Sequence, residues 1–190
     1  MNLEQYVRDA TRTESRIDEV KVNRKFLVDV LTLFVSAGNM LDQIKKHVFY
    51  GKEYRTTKLN LDRFVIKACV DTMVVESAEA GLDEETTIDV DPRLFHAIVG
   101  LATEATELTE ALANTLIGSN TELDGINILE ELGDLNWYEA IAIDTLNGDF
   151  ENVLATNIDK LRERFPEKFT SDNAINRDVD KERALLEEKL

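Results

Sequence analysis

From Leu94 to Asp159 the chain has no lysine or arginine across 66 positions, yet thirteen acids lie in that stretch. Other residue types are scarce as well. A single cysteine, Cys69, excludes an internal disulfide and suits a reducing compartment. Eight glycines and two prolines in 190 residues leave little turn chemistry for an all-β fold. The N-terminal Met-Asn-Leu-Glu-Gln-Tyr lacks a basic region followed by an apolar run, so no signal peptide is expected. No apolar run approaches the roughly 20 residues of a membrane span. The expectation is a cytoplasmic protein. Its net charge of −16 argues against a nucleic-acid partner and against an anionic membrane surface.

The residues present favour helices around one core. At 43% hydrophobic, the chain can build one good core or two small fused units. Residues 20–50 carry Phe26, Val30, Leu33, Leu41, Ile44 and Val48 at helical spacing, closed by Gly51. Lys45, Lys46 and His47 suit the negative end of that helix dipole. After a polar loop, 61–79 reads as a second helix, and the acidic segment 80–91 is the best internal boundary. Ile98, Leu101, Ala105, Leu108 and Leu112 form the stripe of a third helix, 94–117, closed by Gly118. The fourth helix, about 125–146, is apolar on nearly every side and should be central. A fifth runs 150–164 from Asp149 to Pro166, and a short last helix starts near Val179.

Segment 34–51 can be laid on 101–118 without gaps, at an offset of 67 residues. Ala37 and Met40 then face Glu104 and Glu107, while Phe64 and Lys67 face Glu131 and Asp134. The first part, 1–90, would be a catalytically dead copy of the helix pair in 91–190. Any two amphipathic helix pairs also align tolerably, so the repeat is one of two readings.

Two acid-x-x-acid pairs stand out, Glu104/Glu107 and Glu131/Asp134. With 38 acids, chance alone predicts about seven such spacings. A single pair therefore means little, and its plain reading is a solvated helix face. These two border core stripes, lie on consecutive helices and have no local base to neutralise them. Helices ordinarily balance acids with bases three or four positions away. Four converging carboxylates would need positive charge from elsewhere, and Mg²⁺ or Mn²⁺ suits their hard oxygens. On the fourth helix Glu131, Asp134 and Tyr138 fall within about 60° of arc. Basic residues return on the fifth helix, where Asn157, Lys160 and Arg164 share a face that could clamp phosphate oxygens. The other reading of that face is a salt-bridged surface stripe with Asp159 and Glu163.

Glu104-Ala-Thr-Glu107-Leu-Thr-Glu110, then Glu130-Glu131-Leu-Gly-Asp134-Leu-Asn-Trp137-Tyr138, then Asn157-Ile-Asp-Lys160-Leu-Arg-Glu-Arg164-Phe-Pro166 resembles the MazG-like nucleotide pyrophosphohydrolases. These belong to the all-α NTP pyrophosphatase superfamily, with the dimeric dUTPases and phosphoribosyl-ATP pyrophosphohydrolase. The likeness covers about residues 94–178. It implies an all-α, antiparallel four-helix-bundle core and a homo-oligomer. It also implies Mg²⁺-dependent cleavage of a (d)NTP between the α and β phosphates, giving monophosphate and pyrophosphate. Glu104, Glu107, Glu131 and Asp134 would be the catalytic metal ligands. Tyr138, Asn157, Lys160 and Arg164 would contact the substrate. The chain departs from small family members in having some 90 residues before the first acid pair. Within those residues 34–54 look like a first motif that has lost its acids.

The expected chemistry is in-line attack by water at phosphorus, assisted by a carboxylate, with Lys160 and Arg164 offsetting charge on the leaving pyrophosphate. Nucleotide-pool control is the expected role, and a phage origin suits a short acidic chain. The alternative function is a non-catalytic acidic helical adaptor. A carboxylate-bridged redox bundle would want Glu-x-x-His, and neither His47 nor His96 stands in an acid pair. His96 reads as a packed helix-start residue, Trp137 as core, and Cys69 as a buried small residue rather than a nucleophile. The chain has no Gly-rich phosphate loop.

Overall fold

The computed structural model describes residues 2–53, 86–117 and 122–190. Among them the protein is all-α, with seven helices and one two-stranded pair. The order is α1 (Leu3–Arg12), β1 (Lys21–Val22), α2 (Arg24–Tyr50), β2 (Thr86–Thr87), α3 (Pro92–Ile117), α4 (Gly125–Thr145), α5 (Phe150–Arg164), α6 (Ser171–Ile175) and α7 (Val179–Lys189). The expected helix at 61–79, the loop before it and Gly118 lie outside the described residues.

The helices start where short polar side chains can accept orphan backbone N–H groups. Asp91 Oδ1 accepts from Arg93 N at 2.8 Å and Leu94 N at 3.1 Å, and Pro92 pre-sets the first turn of α3. Asp124 Oδ1 does the same for α4, accepting from Ile126 N at 2.9 Å and Asn127 N at 3.3 Å. Asp149 caps α5 through Asn152 N at 2.7 Å, as the sequence predicts. Asn147, at φ 56°, supplies the left-handed residue that turns the chain from α4 into α5.

The chain divides into two compact units. The first comprises Met1–Val20, Asp89–Glu163 and Val179–Leu190; the second comprises Lys21–Ile88 and Arg164–Asp178. The units are interleaved along the chain, whereas the sequence reading divides it once, at 90/91.

In the first unit α3 and α4 form the main packed pair, and α1 lies along α4. Their pairing is antiparallel. Arg93 meets Asp144, His96 meets Trp137 and Tyr138, and Gly100 meets Tyr138, so residue numbers rise on one helix as they fall on the other. Ala97, Ala140 and Ile141 are fully buried at the contact. Two alanines there let the helix backbones approach closely. Apart from Ile141, the fully exposed-to-nothing positions are small, so this core is tight rather than bulky.

Residues before α3 are held by charge. The side chain of Glu14 has no solvent exposure, and Arg93 Nε reaches its two oxygens at 2.8 and 2.9 Å. The same guanidinium donates to Asp144 Oδ2 at 2.7 Å. These partners raise the Arg93 pKa further, Glu14 contributing most. Trp137 Nε1 donates to Ala10 O at 3.2 Å and Thr13 Oγ1 at 3.0 Å, fastening α1 to α4. At the other end α7 is tied to α5 by Lys189 to Asp159 at 2.6 Å and by the Lys181–Glu163 pair.

In the second unit β1 and β2 pair antiparallel, Lys21 opposite Thr87 and Val22 opposite Thr86. Helix α2 ends at Gly51, whose φ of 67° is the left-handed conformation that glycine adopts without a Cβ penalty. Lys45 and Lys46 do more than suit the helix dipole: both pair with Asp42, at 2.8 and 2.5 Å, and their hydrogen bonds lower its pKa to about 2. Helix α2 has no buried residue, and it is long and apolar enough to cross a membrane by length and composition. The sequence reading finds no such run, because Thr32, Ser36, Asn39 and Gln43 interrupt the apolar residues without adding charge. Tyr50 and Phe165 both pack against Phe169 in this unit.

Candidate metal and nucleotide site

The site is built on the α3–α4 pair. Glu104 and Glu107 are one turn apart on α3, and Glu131 sits in the second turn of α4. Antiparallel packing brings them together: one carboxylate oxygen from each lies within 4.8 Å of the others. Their environments are graded. Glu131 is buried, at 6% exposure, Glu104 is half-buried and Glu107 is exposed. The group therefore has a closed floor and an open mouth.

Among the described residues no lysine or arginine pairs with any of the three. Thr103 Oγ1 donates a long hydrogen bond to Glu104 Oε1, at 3.4 Å. Glu131 feels the strain of this. Burial raises its pKa most, followed by the charge of Glu107 and the hydrogen bond and charge of Glu104. Three hard oxygen donors with one raised carboxyl are a chemical fit to a divalent cation, which would supply the missing positive charge.

Asp134 stands outside the group of three. It is exposed, one turn beyond Glu131 on α4. Its charge is felt by Tyr6 of α1 and by Tyr138, whose pKa values are both raised, by burial first. A three-residue step turns about 300° on a helix, so Asp134 is displaced about 60° from Glu131 toward the α1 side.

Tyr138 lies against Gly100, one turn before Glu104. It also feels the charge of Glu104 and Glu107. Asn157 is exposed and Lys160 half-buried on α5. The acids that would make this face a salt-bridged stripe are engaged elsewhere, Asp159 with Lys189 and Arg162, Glu163 with Lys181. No ion pair to Lys160 is seen among the described residues, so its ammonium is available to an anion. Arg164, the last residue of α5, belongs to the second unit. Helix α5 does not pack extensively on α3 or α4.

His96 is half-buried among rings, as expected of a packed residue near a helix start. Trp137 is half-buried, and its indole N–H is committed to α1. Two participants are missed by the sequence reading. Helix α1 is one, though Leu3, Tyr6, Val7 and Ala10 carry the i, i+3, i+4, i+7 signal. Gly100 is the other. A glycine inside a helix, costing about 1 kcal/mol against alanine, is a signal of close approach.

An antiparallel helix pair holding three uncompensated carboxylates around one opening defines a helical protein with a candidate divalent-cation site. Residues 96–169 match the family model of the MazG nucleotide pyrophosphohydrolase domain, so this segment is similar to that family. All three carboxylates, Asp134, Tyr138, Asn157, Lys160 and Arg164 fall inside the match. Comparisons with curated proteins and with solved structures find no match.

Proposed function

We propose that the chain is a Mg²⁺-dependent nucleoside triphosphate pyrophosphohydrolase that converts a (d)NTP to (d)NMP and pyrophosphate. The observation that carries this reading is the convergence of Glu104, Glu107 and Glu131, without a cationic partner among the described residues, inside the MazG-matched segment. Glu104, Glu107 and Glu131 would hold the metal, and Asp134, one turn from Glu131, would complete the set as substrate arrives. A divalent ion held there would supply Lewis-acid polarisation of a phosphoryl oxygen. A carboxylate of the set takes the proton of the attacking water. Lys160, with no ion pair among the described residues, stabilises charge on the departing pyrophosphate together with Arg164, and Asn157 and Tyr138 orient the substrate.

The role is control of the nucleotide pool in the cytoplasm, that of the host if the chain is phage-encoded. We read residues 1–90 as an acid-free copy of the catalytic helix pair. Its support is the offset of 67: it carries the bounds of α2 onto 91–117, against Pro92–Ile117 for α3. Self-association of the chain belongs to the same reading.

A panel of ribo- and deoxyribonucleoside triphosphates, incubated with and without Mg²⁺ and resolved into products, tests the function. Monophosphate and pyrophosphate in equal amounts, only with the metal, are expected for at least one substrate. Diphosphate with orthophosphate would contradict the cleavage position. No turnover of any nucleotide would leave the acidic adaptor as the better account.

A further inference from the structure

Three aromatic rings close the inner end of the site. His96 stands edge-on to Trp137, with centroids 5.9 Å apart and planes at 79°, and edge-on to Tyr138 at 5.5 Å and 85°. Trp137 and Tyr138 are themselves edge-on, 4.7 Å apart at 80°. Edge-to-face contacts of this kind are directional, because the positive rim of one ring meets the negative face of another. Trp137 is anchored through its N–H to α1, so the cluster has a fixed side.

The opposite side is Gly100. It is buried, and a Cβ built there would fall 2.0 Å from Tyr138 Cε1 and 2.3 Å from Cζ. No side chain fits between the helix backbone and the outer half of that ring. The phenol end of Tyr138 thus rests on the turn of α3 that leads, four residues on, to Glu104. Its hydroxyl forms no hydrogen bond with any described residue, and it lies in the field of Glu104, Asp134 and Glu107. The His96 Nδ1 atom is buried and likewise has no hydrogen-bond partner. That nitrogen lacks the anchoring bond that a merely structural histidine ordinarily makes. What His96 contributes is its ring, wedged against both neighbours.

We propose that Gly100 and His96 are positioning residues: they form the seat that holds the Tyr138 ring beside the carboxylates, with its O–H free to donate to a phosphate oxygen of the substrate. Gly100 supplies space, and His96 stands edge-on to both Tyr138 and Trp137. With the carboxylates engaged by a divalent cation, a polyphosphate oxygen brought to the same place would be a charged acceptor for the phenol. The inference rests on the nucleotide reading of the site and adds two residues to it.

The test is a double-mutant cycle read in three ways: turnover, affinity for an uncleavable α,β-methylene nucleoside triphosphate, and melting temperature. Tyr138→Phe keeps the ring and removes the donor. It is expected to melt like the wild type and to bind the analogue about 10-fold more weakly, the loss typical of a hydrogen bond to a charged acceptor. Gly100→Ala, which pushes the ring away, should weaken turnover and analogue binding by at least as much. In a Tyr138→Ala background the added methyl meets no ring, and Gly100→Ala should change each readout less than about 2-fold. If Gly100→Ala alone does not fold while the double variant does, the seat is supported by that rescue, and Tyr138→Phe then tests the donor. Analogue binding by Tyr138→Phe equal to wild type overturns the donor role. Equal losses from Gly100→Ala in both backgrounds overturn the seat. A wild type that neither cleaves nor binds any nucleotide overturns the function itself, before any variant is made.

Discussion

Replacing Glu131 with glutamine should remove turnover and at the same time strengthen the metal-free fold. The two effects have one cause. Glu131 is the buried member of the carboxylate group, and burial with Glu107 and Glu104 beside it holds its pKa above the ordinary carboxylate range. A raised pKa means that the folded state favours the protonated form. The associated stability is complete at pH below the unfolded carboxylate value and is lost as pH rises through the folded one. Glutamine imitates the protonated form at every pH. In the presence of a chelator, Glu131→Gln should therefore melt above the wild type at neutral pH, and the gap should close as pH falls below the ordinary carboxylate range. With Mg²⁺ or Mn²⁺ the order should reverse, because binding to the native state stabilises only the chain that can hold the ion. Pyrophosphate release by the variant should drop by at least about 100-fold, since loss of even an outer partner of a metal ligand costs roughly 10–100-fold. A variant that melts below wild type in chelator and keeps its activity would show that Glu131 is an ordinary structural acid.

The second large effect lies away from the chemistry. Arg93→Ala should destabilise the protein by about 3–5 kcal/mol, the usual consequence of breaking one side of a buried pair. Glu14 has no exposed side-chain surface and relies on the Arg93 fork. Arg16, 3.5 Å from one of its oxygens, is the only other base seen there among the described residues. Thermal melting should fall by on the order of 10 °C for a chain of this size. Arg93→Lys should recover only part of the loss, because an ammonium cannot serve both oxygens of Glu14 and Asp144 in one planar fork. A melting temperature for Arg93→Ala within about 2 °C of wild type would contradict this account of how residues 1–20 are held.

Much of the first unit is legible in the sequence because its signals are local. Helix α5 begins and ends as expected, since Asp149 caps it and Pro166 forbids its extension. Helix α4 is expected as central because it is apolar on most sides; α1 and α3 pack against it, while its Ile126, Leu129 and Leu132 stay exposed. The carboxylate pairs stand out because no base occurs within helical reach of them. What local signals miss is set by packing between distant segments. The Glu131/Asp134 spacing places both acids on one arc. Only the direction from which α3 approaches decides that Glu131 turns inward and Asp134 stays in solvent. Arg93 reads as an ordinary helix-start cation, because its partners Glu14 and Asp144 are 79 and 51 residues away. Gly100 carries a signal, yet the Tyr138 ring that gives it meaning arrives from another helix. Lys160 has acids on both sides in sequence, and those acids pair with other bases, Asp159 with Lys189 and Arg162 and Glu163 with Lys181.

The central claim is that three carboxylates from two antiparallel helices enclose one divalent-cation site. Anomalous diffraction from crystals grown with Mn²⁺ tests it most directly. The account predicts a Mn²⁺ peak within coordination distance of Glu104, Glu107 and Glu131 in the wild type, and none there in Glu131→Gln. A strong peak elsewhere on the chain, with those three side chains turned apart into solvent, would contradict it.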